Sequence, residues 1–180
     1  MNELFAEGKK RICVYDNVFD LVYRQQIYNF IQSSLFQIGW ADGVIVENKK
    51  HMFLHSAYSE EDLERLGYLE ALKATPVKAE LDGYKVSKAV VNLSTPSDVN
   101  FVHAHPEDKV LLYYANLEWH DGWHGETLFY GEKLDNIVFA SPYTPNRIIS
   151  FDAKIPHTIR PQSHISAYYR FTFALILNKC

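Results

Sequence analysis

Val99-Asn100-Phe101-Val102-His103-Ala104-His105 reads as an extended segment with a two-residue period, and Val110-Leu-Leu-Tyr-Tyr-Ala-Asn116 follows it as a continuous apolar strand. Outward from this pair the pattern repeats. Val86–Leu93, Thr127–Tyr130, Asn136–Ala140, Arg147–Phe151, Thr158–Arg160 and Arg170–Leu177 are further short strand candidates, divided by Gly, Pro, Asn and Asp clusters. Many short strands with turn signals between them predict a sandwich or barrel. Towards the N-terminus, Arg11–Tyr15 reads as a strand. Asp20 is placed to cap a helix over Leu21–Phe36. Ser59-Glu-Glu-Asp62 has capping-box form and opens a helix to Lys73, with Pro76 beyond its end. The expected fold is mainly β with flanking helices, a double-stranded, jelly-roll arrangement. One domain over 1–180 is expected, with 1–84 as helix-and-strand support and 85–180 as the core that carries the site.

Composition narrows the function. The chain has 180 residues, 47% hydrophobic and 22% charged, with a net charge of -4 and a pI near 6.0. That balance argues against general binding to nucleic acid or anionic membranes, which would call for a basic face. The two cysteines, Cys13 and Cys180, give neither a disulfide framework nor a zinc spacing. With no signal-peptide pattern and no apolar run of bilayer length, a cytosolic protein is expected. No phosphate-binding glycine loop or nucleophile motif is present. The acidic Ser59–Asp62 cluster is better read as a helix cap than as a calcium site.

On a strand, residues two apart share a face, so His103 and His105 can enter one cavity together. His157, after Pro156 on another segment, can close the site from the side. Glu107 has the same parity as His105, although Pro106 opposes a continued central strand. The residues therefore allow His103, His105 and His157, or Glu107 as the alternative third ligand. Imidazole and carboxylate donors suit non-haem Fe(II); zinc and manganese share the ligand types. Arg170 lies between Tyr169 and Phe171 on the last apolar strand, a place for a cation that meets an anion.

These motifs, in order, resemble the Fe(II)- and 2-oxoglutarate-dependent oxygenases, in particular the prolyl-4-hydroxylase-like branch. The resemblance rests on His103-Ala-His105, Leu112-Tyr113-Tyr114-Ala-Asn116, Glu118-Trp119, Trp123-His124-Gly125-Glu126-Thr127, Pro145-Asn146-Arg147, Phe151-Asp152, Ile155-Pro156-His157 and Arg170-Phe171-Thr172. It spans about Val99 to Leu177. It implies a double-stranded β-helix, Fe(II) held by two histidines and one carboxylate, and 2-oxoglutarate held at its far carboxylate by Arg170, with Thr172 and Tyr114 adding hydrogen bonds. It also implies O2 as a reactant, succinate and CO2 as products, and a substrate that is a protein side chain or a small metabolite. No catalytic residue is implied beyond the metal centre. Three departures stand out. With His103 as first ligand, His105 occupies the place of the family's carboxylate, whereas with His105 as first ligand Glu107 restores it; His124 replaces a glycine, and Asn146 replaces another. Two other function classes are carried forward: a three-histidine, cupin-like dioxygenase or isomerase that does not use 2-oxoglutarate, and a non-catalytic jelly-roll binding module. A lid over Trp40–His55 is a further expectation.

Overall fold

The computed structural model describes residues 2–7, 10–40, 53–98 and 100–180. Most of the segment expected to form a lid lies outside them. In chain order the elements are β1 (Asn2–Glu7), β2 (Lys10–Tyr15), α1 (Leu21–Gln32), β3 (Gln37–Trp40), β4 (Phe53–Tyr58), α2 (Glu60–Leu66), α3 (Tyr68–Lys73), α4 (Lys78–Leu81), β5 (Tyr84–Ser94), β6 (Lys109–Tyr114), β7 (Thr127–Tyr130), β8 (Ile137–Ser141), β9 (Ile148–Asp152), β10 (His157–Ile159) and β11 (Arg170–Lys179). A large antiparallel sheet has the order β1-β2-β9-β6-β11-β5-β4-β3, and a small one the order β10-β7-β8.

The large sheet is buried on both faces at its centre, which is why β6 and β11 are apolar without a break. In β6, Val110, Leu112 and Tyr114 face the small sheet, where they pack with Phe129, Ile149, Phe151 and Ile176. Leu111 and Tyr113 face the helices and meet Ile27, Ile31, Tyr68, Leu72 and Phe173. Tyr68 and Phe173 stack with ring centroids 4.6 Å apart. The helices thus cover one side of the sheet and leave the other to form the site.

Local chemistry sets the helix ends. Asp20 accepts a hydrogen bond from the Tyr23 amide at 2.8 Å. Ser59 and Asp62 cap each other's backbone reciprocally. The helix expected from Ser59 to Lys73 is two helices, because Gly67 takes a left-handed φ of 66° and ends the first. The first helix stops at Gln32 instead of Phe36, since Gln37–Trp40 is drawn into pairing with β4. Of the strand expected over Val99–His105, Val99 lies outside the described residues, and the rest is reduced to a single bridge between His103 and His157, for β10 offers only three residues to pair with and Pro106 follows. Its two-residue parity nevertheless survives. Phe101, His103, His105 and Glu107 turn inward, while Val102, Ala104 and Pro106 are exposed.

Candidate metal and co-substrate site

Backbone pairing fixes the histidines. The His103 amide donates to the His157 carbonyl at 3.0 Å and the His157 amide returns the bond at 2.8 Å. The His105 amide donates to the Ala153 carbonyl at 2.8 Å. One potential ligand atom from each imidazole then falls within 4.8 Å of the other two. The tautomers follow from the hydrogen bonds. His103 Nδ1 lies 3.1 Å from the Phe101 carbonyl and His157 Nδ1 lies 2.9 Å from that of Ile155. A carbonyl only accepts, so both Nδ1 atoms carry a proton, which leaves Nε2 of each ring as the atom able to meet a metal. Burial lowers the pKa of His157 well below the usual imidazole range. Burial, then the neighbouring His103, brings that of His105 to about 4. Neutral imidazoles with convergent lone pairs fit a divalent metal of the borderline class.

Glu107 also turns inward, but its carboxylate pairs with Lys88 Nζ at 2.7 Å. It does not join the histidine group, and its second oxygen is buried without a partner.

Arg170 is buried, 1% exposed, at the start of β11. Its Nε donates to the Gly125 carbonyl at 2.9 Å and its Nη2 lies 3.4 Å from Thr127 Oγ1. The guanidinium carbon sits 4.8 Å from the centre of the Tyr143 ring and 5.5 Å from that of Tyr114. Burial lowers its pKa, yet a guanidinium stays charged in proteins. Among the described residues no carboxylate forms an ion pair with it; Glu126 acts on it electrostatically from a distance, and its Oε1 lies 3.5 Å from Arg160. Thr172 is buried and stands opposite Tyr114 across β6 and β11. The Tyr114 hydroxyl donates to Thr127 Oγ1 at 2.7 Å.

Both groups line one cavity of about 80 Å³, with Val110, Leu112 and Ile176 among its apolar walls. Strand β7 relates its two ends. His157 is opposite Phe129, and Arg170 reaches Thr127 two residues along. The two ends are therefore on the order of 7 Å apart.

Several solved structures share this fold. A prolyl hydroxylase from Trichoplax adhaerens, solved with a peptide fragment of the hypoxia inducible factor oxygen degradation domain, superposes with a TM-score of 0.64 at 17% identity, over 93% of this chain and 83% of that one. A 2OG-Fe(II) oxygenase family oxidoreductase from Burkholderia pseudomallei gives 0.66 at 12% identity, over 93% and 85%. A prolyl-4-hydroxylase from Pseudomonas putida gives 0.59 at 8% identity, over 96% and 95%. The fold is the double-stranded β-helix of the 2-oxoglutarate oxygenases. No protein-family model matches the chain, and no curated protein sequence does.

Within this double-stranded β-helix, residues that sequence reasoning left without a role hold Arg170 in place. Asn116 accepts from the Phe171 amide at 2.9 Å and donates to the Tyr169 carbonyl at 2.9 Å, so it grips β11 on both sides of the arginine. Gln162 accepts from the Arg170 amide at 2.9 Å and donates to the Tyr168 carbonyl at 2.8 Å. Asn116 ends the Tyr-Tyr-Ala-Asn motif and could have been found there; Gln162 and Tyr143 carry no local signal. Gly125 has φ +88°, and a Cβ on it would lie 3.2 Å from Arg170 Cδ. His124 takes φ 58° in the place of a glycine, and Asn146 takes φ 66°. Asn146 offsets that conformation with two hydrogen bonds to the Phe19 backbone, at 2.9 and 2.8 Å. His120 is exposed and caps the turn Asp121–Trp123. No helix among the described residues is long and apolar enough to cross a membrane.

Proposed function

We propose that the protein is an Fe(II)- and 2-oxoglutarate-dependent dioxygenase that hydroxylates a protein side chain or a small metabolite and releases succinate and CO2. One observation carries this reading. A convergent trio of imidazoles and a buried arginine without an ion-paired carboxylate stand at opposite ends of a single small cavity. A buried cation left unpaired costs several kcal/mol, on the order of 3–5. An external carboxylate reaching Arg170 from the histidine end removes that cost. The superposition on a prolyl hydroxylase solved with a peptide supports a polypeptide side chain as one substrate class.

His103, His105 and His157 would hold the iron through Nε2 of His103 and His157 and one ring nitrogen of His105. Arg170 would bind the far carboxylate of 2-oxoglutarate as a two-pronged donor, with Thr172 beside it and Tyr114 and Thr127 completing the pocket. Iron, when bound, supplies the oxygen chemistry. The protein orients the co-substrate and uses Val110, Leu112, Phe151 and Ile176 to keep water away from it.

The absence of a carboxylate from the histidine group favours one competitor, a cupin-like enzyme that uses the same three histidines without 2-oxoglutarate. Anaerobic titration with Fe(II) and then 2-oxoglutarate, followed by visible absorption, separates the two. The oxygenase reading expects a charge-transfer band that needs both additions, persists in Glu107→Ala and is lost in His103→Ala. Metal binding without any 2-oxoglutarate-dependent band would favour the cupin-like enzyme. A band lost in Glu107→Ala but kept in His103→Ala would replace His103 with Glu107 as ligand.

A further inference from the structure

We propose that Asn92 and Asn100 are specificity-determining residues that read an uncharged amide on the substrate. The inference rests on the co-substrate position proposed above. Asn92 stands on β5 directly opposite Thr172 on β11 and His55 on β4, and Thr172 stands opposite Tyr114 on β6. Residues paired in this way share a face. Asn92 therefore continues a polar row that begins at the co-substrate pocket and runs towards the sheet edge. Asn100 approaches from the segment leading to His103, and both residues line the cavity that holds the histidines and Arg170.

Neither carboxamide makes a hydrogen bond within the described protein. Asn92 Oδ1 and Asn100 Nδ2 are buried without a partner, as is Thr158 Oγ1 on the same cavity wall. Buried polar atoms are nearly always paired in folded proteins, and leaving them unpaired is unfavourable. Three such atoms on residues that line one cavity point to a ligand that supplies the missing partners as the carboxamides turn towards it. Its chemistry follows from what the cavity offers. Arg170 is the one side chain of fixed charge among the described lining residues, and the co-substrate carboxylate occupies it. A substrate carboxylate or phosphate would find no second cationic side chain among the described lining residues and would leave the Asn92 acceptor unmet. A purely apolar substrate would leave all three atoms unmet. An amide brings an N–H for Asn92 and a C=O for Asn100, and carries no charge.

The test is isothermal titration of the protein loaded with Zn(II) and 2-oxoglutarate, a state that does not turn over. The probes are N-acetyl amino acid methylamides and the corresponding N-acetyl free acids. Methylamides are expected to bind at least tenfold more tightly than the acids. Asn92→Ala and Asn100→Ala should each weaken methylamide binding roughly tenfold, the loss of one hydrogen bond to a buried partner. Because neither side chain bonds to the protein, the melting temperature of both variants without ligand should equal or exceed that of the wild type. Equal affinity for acids and methylamides, no methylamide binding, variants that bind as the wild type does, or a lowered melting temperature would each overturn the assignment. Asn-dependent methylamide binding by a protein that fails to bind 2-oxoglutarate would sink the oxygenase reading and leave this one standing.

Discussion

Arg170→Lys keeps the positive charge and removes the planar fork, so it isolates what the guanidinium geometry contributes. In the wild type, Nε is committed to the Gly125 carbonyl at 2.9 Å, the plane faces Tyr143 at 4.8 Å, and the outer nitrogens are left for a carboxylate. A lysine ammonium cannot reproduce two parallel donors while also satisfying Gly125. The variant therefore forfeits about one charge-assisted hydrogen bond to the ligand, on the order of 1.5–3 kcal/mol. At about 1.4 kcal/mol per factor of ten, 2-oxoglutarate should bind roughly 10- to 100-fold more weakly. The assay is anaerobic titration of the Fe(II)-loaded protein with 2-oxoglutarate, read by charge-transfer absorption, with the Fe(II) dissociation constant measured in parallel. The metal constant measured without 2-oxoglutarate should not move, because the lysine keeps the positive charge at that end of the cavity. A variant that binds 2-oxoglutarate within twofold of the wild type would show that Arg170 does not hold the co-substrate.

Gly125→Ala should weaken 2-oxoglutarate binding about tenfold in the same titration: its Cβ would press on Arg170 Cδ at 3.2 Å and Trp119 Cζ2 at 3.4 Å, and φ +88° adds about 1–2 kcal/mol of backbone strain. Glu80→Ala should lower the melting temperature by roughly 6–20 °C without altering metal affinity. It strips a buried carboxylate that accepts from Arg11, Tyr15, Lys109 and Ser150, a loss of about 3–5 kcal/mol. The metal-free protein should lose stability as pH falls from about 6.5 towards 4. His105 titrates near 4 when folded and near 6.5 when unfolded, so in that window the unfolded chain binds more protons. The shift corresponds to at most about 3 kcal/mol for that residue, and His157 acts in the same direction. Flat denaturant midpoints across this range would contradict the buried, neutral imidazoles. Metal titrated in the presence of 2-oxoglutarate should bind at least tenfold more tightly than in its absence, and independence of the two affinities would count against a shared cavity.

What could be read from the sequence was whatever depends on short range. The parity of His103, His105 and Glu107 survives because alternation along an extended chain needs only extended backbone, even where the ladder itself is missing. The strands β7, β9 and β11 are legible because turn residues bound apolar runs. The caps at Asp20 and Ser59 are legible because each lies three residues from its partner. What escaped depends on long-range pairing. Whether Glu107 reaches the histidines is decided by Lys88 on a different strand, and no spacing in the chain reports that contact. Gln162 looks like an ordinary loop residue until β11 folds against it. Strand β4 is weakly apolar and is stabilised by β5 alongside it, so propensity alone does not mark it.

Glu107's pairing with Lys88 also changes the electrostatics of the whole site. With three neutral donors, a divalent ion keeps its full charge at the histidine end. Arg170 places a third positive charge at the other end, on the order of 7 Å away by the β7 register. At an effective dielectric constant of about 20, those charges repel by about 5 kcal/mol. A carboxylate ligand would cut the net charge on the ion and about halve the repulsion. Without it, the relief must come from the ligand that enters the cavity, and a dianion lying between the two ends meets both charges at once. Such a site holds metal and co-substrate weakly apart and strongly together, and by linkage each raises the affinity of the other by the same factor. On the function proposed above, His105 in place of a carboxylate moves the balancing negative charge from the protein to the co-substrate, and Arg170 then serves metal retention through the 2-oxoglutarate it would hold.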